Sequence, residues 1–127
     1  MGAETLHNTT TLPLEGSGFS GIEPVEVQVS TAGTALLVHT GSADATQLDF
    51  VRVWANNQHT AAIDLTFTLG GDTTSDIVAG PISLPAGVGL IVVLPDVPVG
   101  SALNLKAYAS VINKVTLHGY VKRVQIA

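Results

Sequence analysis

Four histidines are the residues of this chain best suited to hold a metal ion: His7, His39, His59 and His118. A metal site on strands needs ligands at positions i and i+2, or on strands that face each other. No two of the four lie within two residues of each other, although His39 and His118 both fall in strand-like segments and could meet in space. Isolated histidines, bonded locally or exposed at strand ends, fit this spacing better, so we predict no metal ion and no other cofactor.

Acids and hydroxyls could in principle bind calcium or support hydrolysis, but their spacing fits neither. Asp72 and Asp76 flank three hydroxyl residues, yet the twelve-residue calcium-loop pattern is absent and a solvated turn is favoured. Asp64 is the only acid at a clear mid-strand position and is expected to face outward, which leaves no carboxylate pair for glycoside hydrolysis. The chain has no G-x-S-x-G elbow and no Cys. We therefore predict that the protein is not an enzyme.

A glycine-rich stretch, Gly16–Gly21, matches the G-x-G-x-x-G string of dinucleotide-binding proteins. Such a site needs a strand before the glycines and a helix after them, because the helix N-terminus holds the pyrophosphate. Pro24 and the strand-like residues that follow it leave no room for this helix. We interpret the stretch as a turned or flexible part of an extended segment.

Three aromatic residues could form a sugar-binding platform. Carbohydrate-binding modules commonly stack ring faces on pyranose rings, and Trp54, Tyr108 and Tyr120 could do this if their strands are neighbours. Trp and Arg are also enriched at protein interfaces, and Arg52 lies two residues before Trp54. The aromatic residues thus leave two alternatives, a carbohydrate-binding module and a protein-binding surface.

The composition constrains the class of protein more strongly. Of 127 residues, 46% are hydrophobic but only 12% are charged, and the net charge is −5. So few charges predict a protein that hides apolar surface in an assembly. Nucleic-acid binding needs clustered Lys and Arg, and we exclude it. We also predict no membrane partner, because the most apolar stretch (88–94) is far shorter than the roughly 20 residues of a span, and residues 1–11 lack signal-peptide features.

From residue 25 onward, apolar and polar residues alternate with the period of two that is typical of half-buried strands. Pro81 interrupts one segment and predicts an edge strand, and Gly119 predicts a bulge or a close approach between backbones. We predict an all-β fold, an antiparallel β-sandwich, jelly roll or small barrel of about eight strands. The predicted strands are 25–30, 35–40, 48–56, 63–69, 77–84, 88–94, 103–109 and 115–126.

Residues 1–24 lack this period and are predicted to form an extended N-terminal arm, followed by the β-sandwich domain at 25–127. A frayed terminus is the alternative. Two segments are more apolar than a monomeric sandwich requires, because an antiparallel sheet commonly has one face in water. The segment 88–94 is apolar on both faces, and 48–54 places Val51 and Val53 on one face and Phe50, Arg52 and Trp54 on the other. Either a loop or the arm covers them, or they form a subunit interface. The predicted interface residues are Leu12, Leu14, Phe19, Ile22, Phe50, Arg52, Trp54, Leu90 and Val92.

The charges are segregated along the chain. All ten acidic residues lie between Glu4 and Asp96, and four of the five basic residues lie between Lys106 and Arg123. Either the fold brings these regions together and the charges neutralise locally, or the acidic arm meets the basic last strand of a neighbouring subunit. Surface ion pairs contribute little energy, but they steer association and set register.

Several segments together resemble small proteins encoded in structural gene clusters of tailed bacteriophages. They are 34–40 (TALLVHT), 50–57 (FVRVWANN), 84–94 (LPAGVGLIVVL) and 106–124, which contains KAYAS and LHGYVKRV. The resemblance covers about residues 25–126 and includes no catalytic motif.

This resemblance implies a virion protein with a β-sandwich or jelly-roll fold. Proteins of this kind decorate or cement the capsid, commonly as trimers, join the head to the tail, or form the base of a fibre. Among these roles we expect a decoration or cement subunit located in the virion. The implied partners are the chain itself, as a homotrimer, and the major capsid protein or another virion protein.

Overall fold

A computed structural model describes residues 9–17 and 22–126, and these residues form the all-β fold that the sequence predicts. Two single-turn 3₁₀ helices, Ala32–Thr34 and Thr74–Asp76, lie in connections. Within the described ranges, no helix has the length and apolar content needed to cross a membrane. The strands of this part of the chain are β1 (Thr9–Pro13), β2 (Val25–Val27), β3 (Leu36–Thr40), β4 (Gln47–Asn57), β5 (Ile63–Leu69), β6 (Ile77–Leu84), β7 (Leu90–Val99), β8 (Asn104–Ala109) and β9 (Val115–Gln125).

The strands form two antiparallel sheets around one core. The five-stranded sheet has the order β1-β9-β4-β7, with β2 also paired to β9, and the four-stranded sheet has the order β3-β8-β5-β6. From β2 to β9 this is the strand order of a jelly roll, in which each connection changes sheet except the one between β5 and β6. Strand β6 lies at a sheet edge, as the interruption at Pro81 predicts.

Alternation along the central strands places the core between the sheets. Val51 and Val53 of β4 are fully buried on one side, and Leu65 and Phe67 of β5 are fully buried on the other. Each such side chain stabilises the fold by about 1.5–3 kcal/mol relative to an exposed one. Gly119 allows β9 to lie close to β4, because a Cβ there would collide with the carbonyl oxygen of Arg52. The predicted close approach at Gly119 is therefore confirmed.

Strand β7 differs from its prediction at both ends. The apolar run 88–94 predicted a stop at Pro95, but the strand begins at Leu90 and continues to Val99. Because β7 is an edge strand that pairs only with β4, proline can be accommodated without breaking a second ladder. The register shifts between Val51 and Trp54 of β4, and Asp96 has a positive φ of 61°. This irregularity changes the direction of the second half of β7, which pairs with β4 again from Val97 to Val99.

Part of the segment predicted as an arm is a strand of the sandwich. Strand β1 pairs with β9 of its own chain, from Thr9 opposite Val124 to Pro13 opposite Tyr120. Leu14 follows β1 and is only 3% exposed, in the core. Residues 9–14 therefore belong to the sandwich of their own chain, with β1 in the five-stranded sheet and Leu14 in the core. Residues 1–8 and 18–21 lie outside the described part of the chain.

Candidate interaction site on the five-stranded sheet

The outward face of β4 and β9 carries the largest group of aromatic and basic side chains described. Alternation buries one side of β4 and leaves Phe50, Arg52 and Trp54 half-buried on the other. In the register of the two strands, Arg52 lies opposite Tyr120 and Trp54 lies opposite His118. The strand period and the pairing therefore bring these side chains together on one surface.

Two rings and two cations form the centre of this surface. The ring centroids of Trp54 and Tyr120 are 6.1 Å apart with an interplanar angle of 50°, a separation typical of interacting aromatic pairs. The Arg52 guanidinium lies 5.4 Å from the Trp54 centroid, and the Lys122 ammonium lies 5.9 Å from the Tyr120 centroid. We call Arg52, Trp54, Tyr120 and Lys122 the aromatic cluster.

An ion pair fixes one side of the aromatic cluster. Arg52 Nη1 donates to Asp96 Oδ2 at 2.8 Å, and both side chains are partly exposed. The positive φ of Asp96 places its carboxylate beside β4 at the irregular part of β7. An exposed pair contributes little stability, but here it holds the guanidinium near Trp54. The cluster is thus partly ordered before any partner binds.

A shallow, open depression of about 510 Å³ adjoins the aromatic cluster. Trp54 and Tyr120 line it together with Ile22, Leu90 and His118. A second depression of about 460 Å³, bordered by small residues and Asp44, lies where the β3–β4 and β7–β8 connections meet the end of β9. The first is lined by the rings of Trp54 and Tyr120, and aromatic residues are enriched at binding surfaces.

The predicted interface residues separate into two groups. Phe50, Arg52 and Trp54 are half-buried on the outward face, Ile22 borders the depression, and Leu90 and Val92 are 57% and 44% exposed. The others do not join this surface: Leu12 packs partly against the core and Leu14 is buried in it. Phe19 lies outside the described residues.

The other candidate groups are dispersed. Tyr108 lies on β8 in the four-stranded sheet, so the three aromatic residues do not form one platform. His39 is buried and bonded to Asp49, whereas His118 lies on the outward face of β9, so the two do not meet. In residues 9–17 and 22–126, no three potential metal ligands come together. His7 lies outside those ranges.

The Asp72–Asp76 turn is held by its own hydrogen bonds. Asp76 Oδ2 accepts from the Thr73 backbone N–H at 3.1 Å and from its hydroxyl at 2.7 Å. These bonds, the hydroxyl first, lower the pKa of Asp76 below its usual value. The arrangement is a capping box on the 3₁₀ helix. The Asp76 carboxylate therefore stabilises the turn through these hydrogen bonds.

A buried charge cluster joins the two sheets, and the sequence interpretation did not identify it. Asp49 of β4 is fully buried and accepts two hydrogen bonds from Arg123 of β9, at 2.8 and 2.9 Å. Its Oδ2 also lies 2.6 Å from Nε2 of His39 on β3. Burial acts to raise the pKa of Asp49, but the bonds from Arg123 and His39 outweigh it and hold that pKa below the usual value.

This buried cluster shows how one of the basic residues near the end of the chain is neutralised. Arg123, one of the late basic residues, finds its acidic partner within its own chain, as local neutralisation requires. The signal in the sequence was Asp49 itself, which is in phase with the inward Val51 and Val53. An acid at an inward strand position predicts a buried partner.

Comparisons with protein-family models, with curated proteins and with solved structures give no match to this chain.

Proposed function

We propose that this protein is a structural, non-catalytic subunit of a tailed-bacteriophage virion, a decoration or cement protein that binds the shell. The observation that carries the proposal is the aromatic cluster on the outward face of the five-stranded sheet. Its partner would be the major capsid protein or another virion protein, and the chain would act as an oligomer, for which we propose a homotrimer.

The chemistry of the aromatic cluster suits a protein partner. Trp, Tyr and Arg are the residue types that most often carry binding energy at interfaces, and they do so in clusters. The Arg52–Asp96 pair and the stacking on Trp54 restrict the side chains in advance. Less side-chain entropy is then lost on binding. Exposed Leu90 and Val92 extend the surface with apolar area.

The jelly-roll order of the strands is compatible with this role. Jelly rolls occur in viral capsid proteins and also in lectins, and one fold hosts many functions. The resemblance of residues 25–126 to phage structural proteins favours the virion. On a symmetric shell, modest contacts repeated many times give strong overall attachment.

Binding to isolated shells tests the proposal. We expect the Trp54→Ala and Tyr120→Ala variants to sediment with shells at least tenfold more weakly than the unmodified chain, which corresponds to about 1.4 kcal/mol or more. Tyr108→Ala is the matched control, because it removes a half-buried ring from the other sheet. Equal binding of all three variants, or no binding of the unmodified chain, would contradict the proposal.

A carbohydrate-binding module is the second candidate, favoured by one observation. The Trp54 and Tyr120 rings both line an open depression, where a pyranose ring could stack. The cation near Trp54 argues against it, since Arg52 competes for the ring face that stacking needs. Glycan-array binding that disappears in the Trp54→Ala variant would support this candidate over the virion proposal.

A further inference from the structure

Two cation–ring pairs lie side by side on the outward face of the five-stranded sheet. The Arg52 guanidinium lies 5.4 Å from the Trp54 centroid, and the Lys122 ammonium lies 5.9 Å from the Tyr120 centroid. The two rings are 6.1 Å apart, and Arg52 lies opposite Tyr120 in the register of β4 and β9. The aromatic cluster is therefore built from two units of the same kind, each a cation beside a ring.

The two pairs differ in whether a carboxylate neutralises the cation. Asp96 Oδ2 accepts a hydrogen bond from Arg52 Nη1 at 2.8 Å. Lys122 is exposed and forms no ion pair with any residue of the described ranges. In the sheet it lies between Phe50 of β4 and Thr11 of β1, neither of which carries a charge. The chain thus completes one pair with its own carboxylate and leaves the other open.

The remaining acids on the strands of this sheet do not supply a carboxylate to Lys122. Glu26 of β2 lies opposite Thr116, which is about 20 Å along β9 from Lys122 at about 3.3 Å per residue. Asp49 of β4 is buried in the core and is already paired with Arg123. A carboxylate that complements Lys122 is therefore missing from these strands.

Apolar side chains around the two pairs indicate what kind of molecule carries that carboxylate. Val92 of β7 lies opposite Trp54, and Leu90 and Val92 are 57% and 44% exposed. A small anion would leave this apolar area in water, whereas an acidic residue with apolar neighbours would cover it. The net charge of −5 opposes a long polyanion such as a nucleic acid. An acidic polypeptide meets both conditions.

We propose that the aromatic cluster binds an acidic segment of its protein partner, in which one carboxylate pairs with Lys122 and apolar neighbours cover the two rings. The inference rests on the proposed function, because it gives the chemistry of the segment that the shell protein presents. An ion pair of this kind adds modest affinity. Its larger effect is to select the partner and fix how the segment lies on the sheet.

Trp54 allows a direct test, because it is the only Trp of the chain and its fluorescence therefore reports on the aromatic cluster. The probe is a blocked hexapeptide of alternating Glu and Leu, titrated into the full chain. It should change the Trp54 fluorescence to saturation. A control peptide with Gln in place of Glu should bind more weakly. Salt at about 1 M, which screens charges beyond about 3 Å, should remove the difference between the two peptides.

Three variants connect the result to the open cation. Lys122→Met keeps an unbranched apolar side chain without the charge and should weaken binding of the Glu peptide about twofold to fivefold, the range of one exposed ion pair. Lys114→Met is the matched control, because it removes the charge of an exposed lysine in the β8–β9 connection, and should bind normally. Asp96→Asn frees Arg52 for the peptide and should strengthen binding by a similar factor.

The outcomes separate this inference from the proposed function. Equal binding of the Glu and Gln peptides, unchanged binding in Lys122→Met, or a stronger response to single-stranded oligothymidine than to the Glu peptide would overturn the inference. Shell sedimentation is measured separately. Shell binding without a response to the Glu peptide would overturn this inference alone, and a response to the Glu peptide without shell binding would contradict the virion proposal alone.

Discussion

At the scale of single residues, Asp49 shows how a chain with few charges uses one inside the core. Transfer of a carboxylate from water to a protein interior is expensive unless it is paired and hydrogen-bonded. Arg123 and His39 supply that pairing from a neighbouring strand and from the opposite sheet. The cluster thereby ties the register of β4 and β9 to the position of β3.

Removal of the Asp49 charge tests this role. We expect Asp49→Asn to lower the free energy of unfolding by about 3 kcal/mol, because Arg123 and His39 lose their partner. Urea unfolding at neutral pH measures the change. Asp64→Asn, at an exposed position on β5, should change stability by less than about 0.5 kcal/mol.

The same variant should also alter the response to acid. Because the pKa of Asp49 is lower in the folded state, its contribution is complete well above the unfolded pKa of about 3.9 and is lost as pH falls below it. Unmodified protein should therefore lose stability more steeply than Asp49→Asn below about pH 4. Parallel pH dependences would show that the carboxylate gains nothing from its partners on folding.

At the scale of the strand, the alternation of apolar and polar residue types located some strands with the right bounds and missed others. Strand β5 alternates cleanly and was predicted at its observed bounds. Strand β7 was predicted to stop at Pro95, because its edge position, where proline is tolerated, is not visible in the sequence. Strand β1 was assigned to an arm, since Thr9–Thr11 show no alternation and their pairing with β9 spans more than a hundred residues.

Gly119 is the position where the pairing of β9 with β4 is most sensitive. An added Cβ would collide with the Arg52 backbone, and the strands would have to separate beneath the aromatic cluster. We expect Gly119→Ala to destabilise the fold by about 1–3 kcal/mol, measured by thermal or urea unfolding. Gly33→Ala is the control, because its Cβ would have open space, with Asp72 no closer than 4.0 Å. Equal stability of the two variants would contradict the close approach.

At the scale of the whole molecule, the fold class was predictable and the arrangement of the candidate site was only partly so. Strand spacing and composition were enough for a β-sandwich. Arg52 and Trp54 were chosen by residue type. Their proximity to Tyr120 depends on the pairing of β4 with β9, and the sequence does not reveal which of two distant strands pair. Tyr108 matched the same criterion and lies in the other sheet.

Leu14 tests whether the described part of the predicted arm belongs to the sandwich. Its side chain is buried in the core, so Leu14→Ala should cost about 2–5 kcal/mol of unfolding free energy. Leu103→Ala, at a 41% exposed position, should have a much smaller effect in the same unfolding experiment. If Leu14→Ala impaired only shell binding and left stability unchanged, this residue would serve the partner rather than the fold.

The pairing of β1 with β9 has a mechanical consequence. Thr9 and Val124 lie opposite each other where β1 starts and β9 finishes. A pulling force applied to the chain before Thr9 and after Gln125 would act across the ladder rather than along it. The hydrogen bonds would then open one pair after another, like a zipper, and β1 would peel away at low force before the rest of the sandwich bore any load.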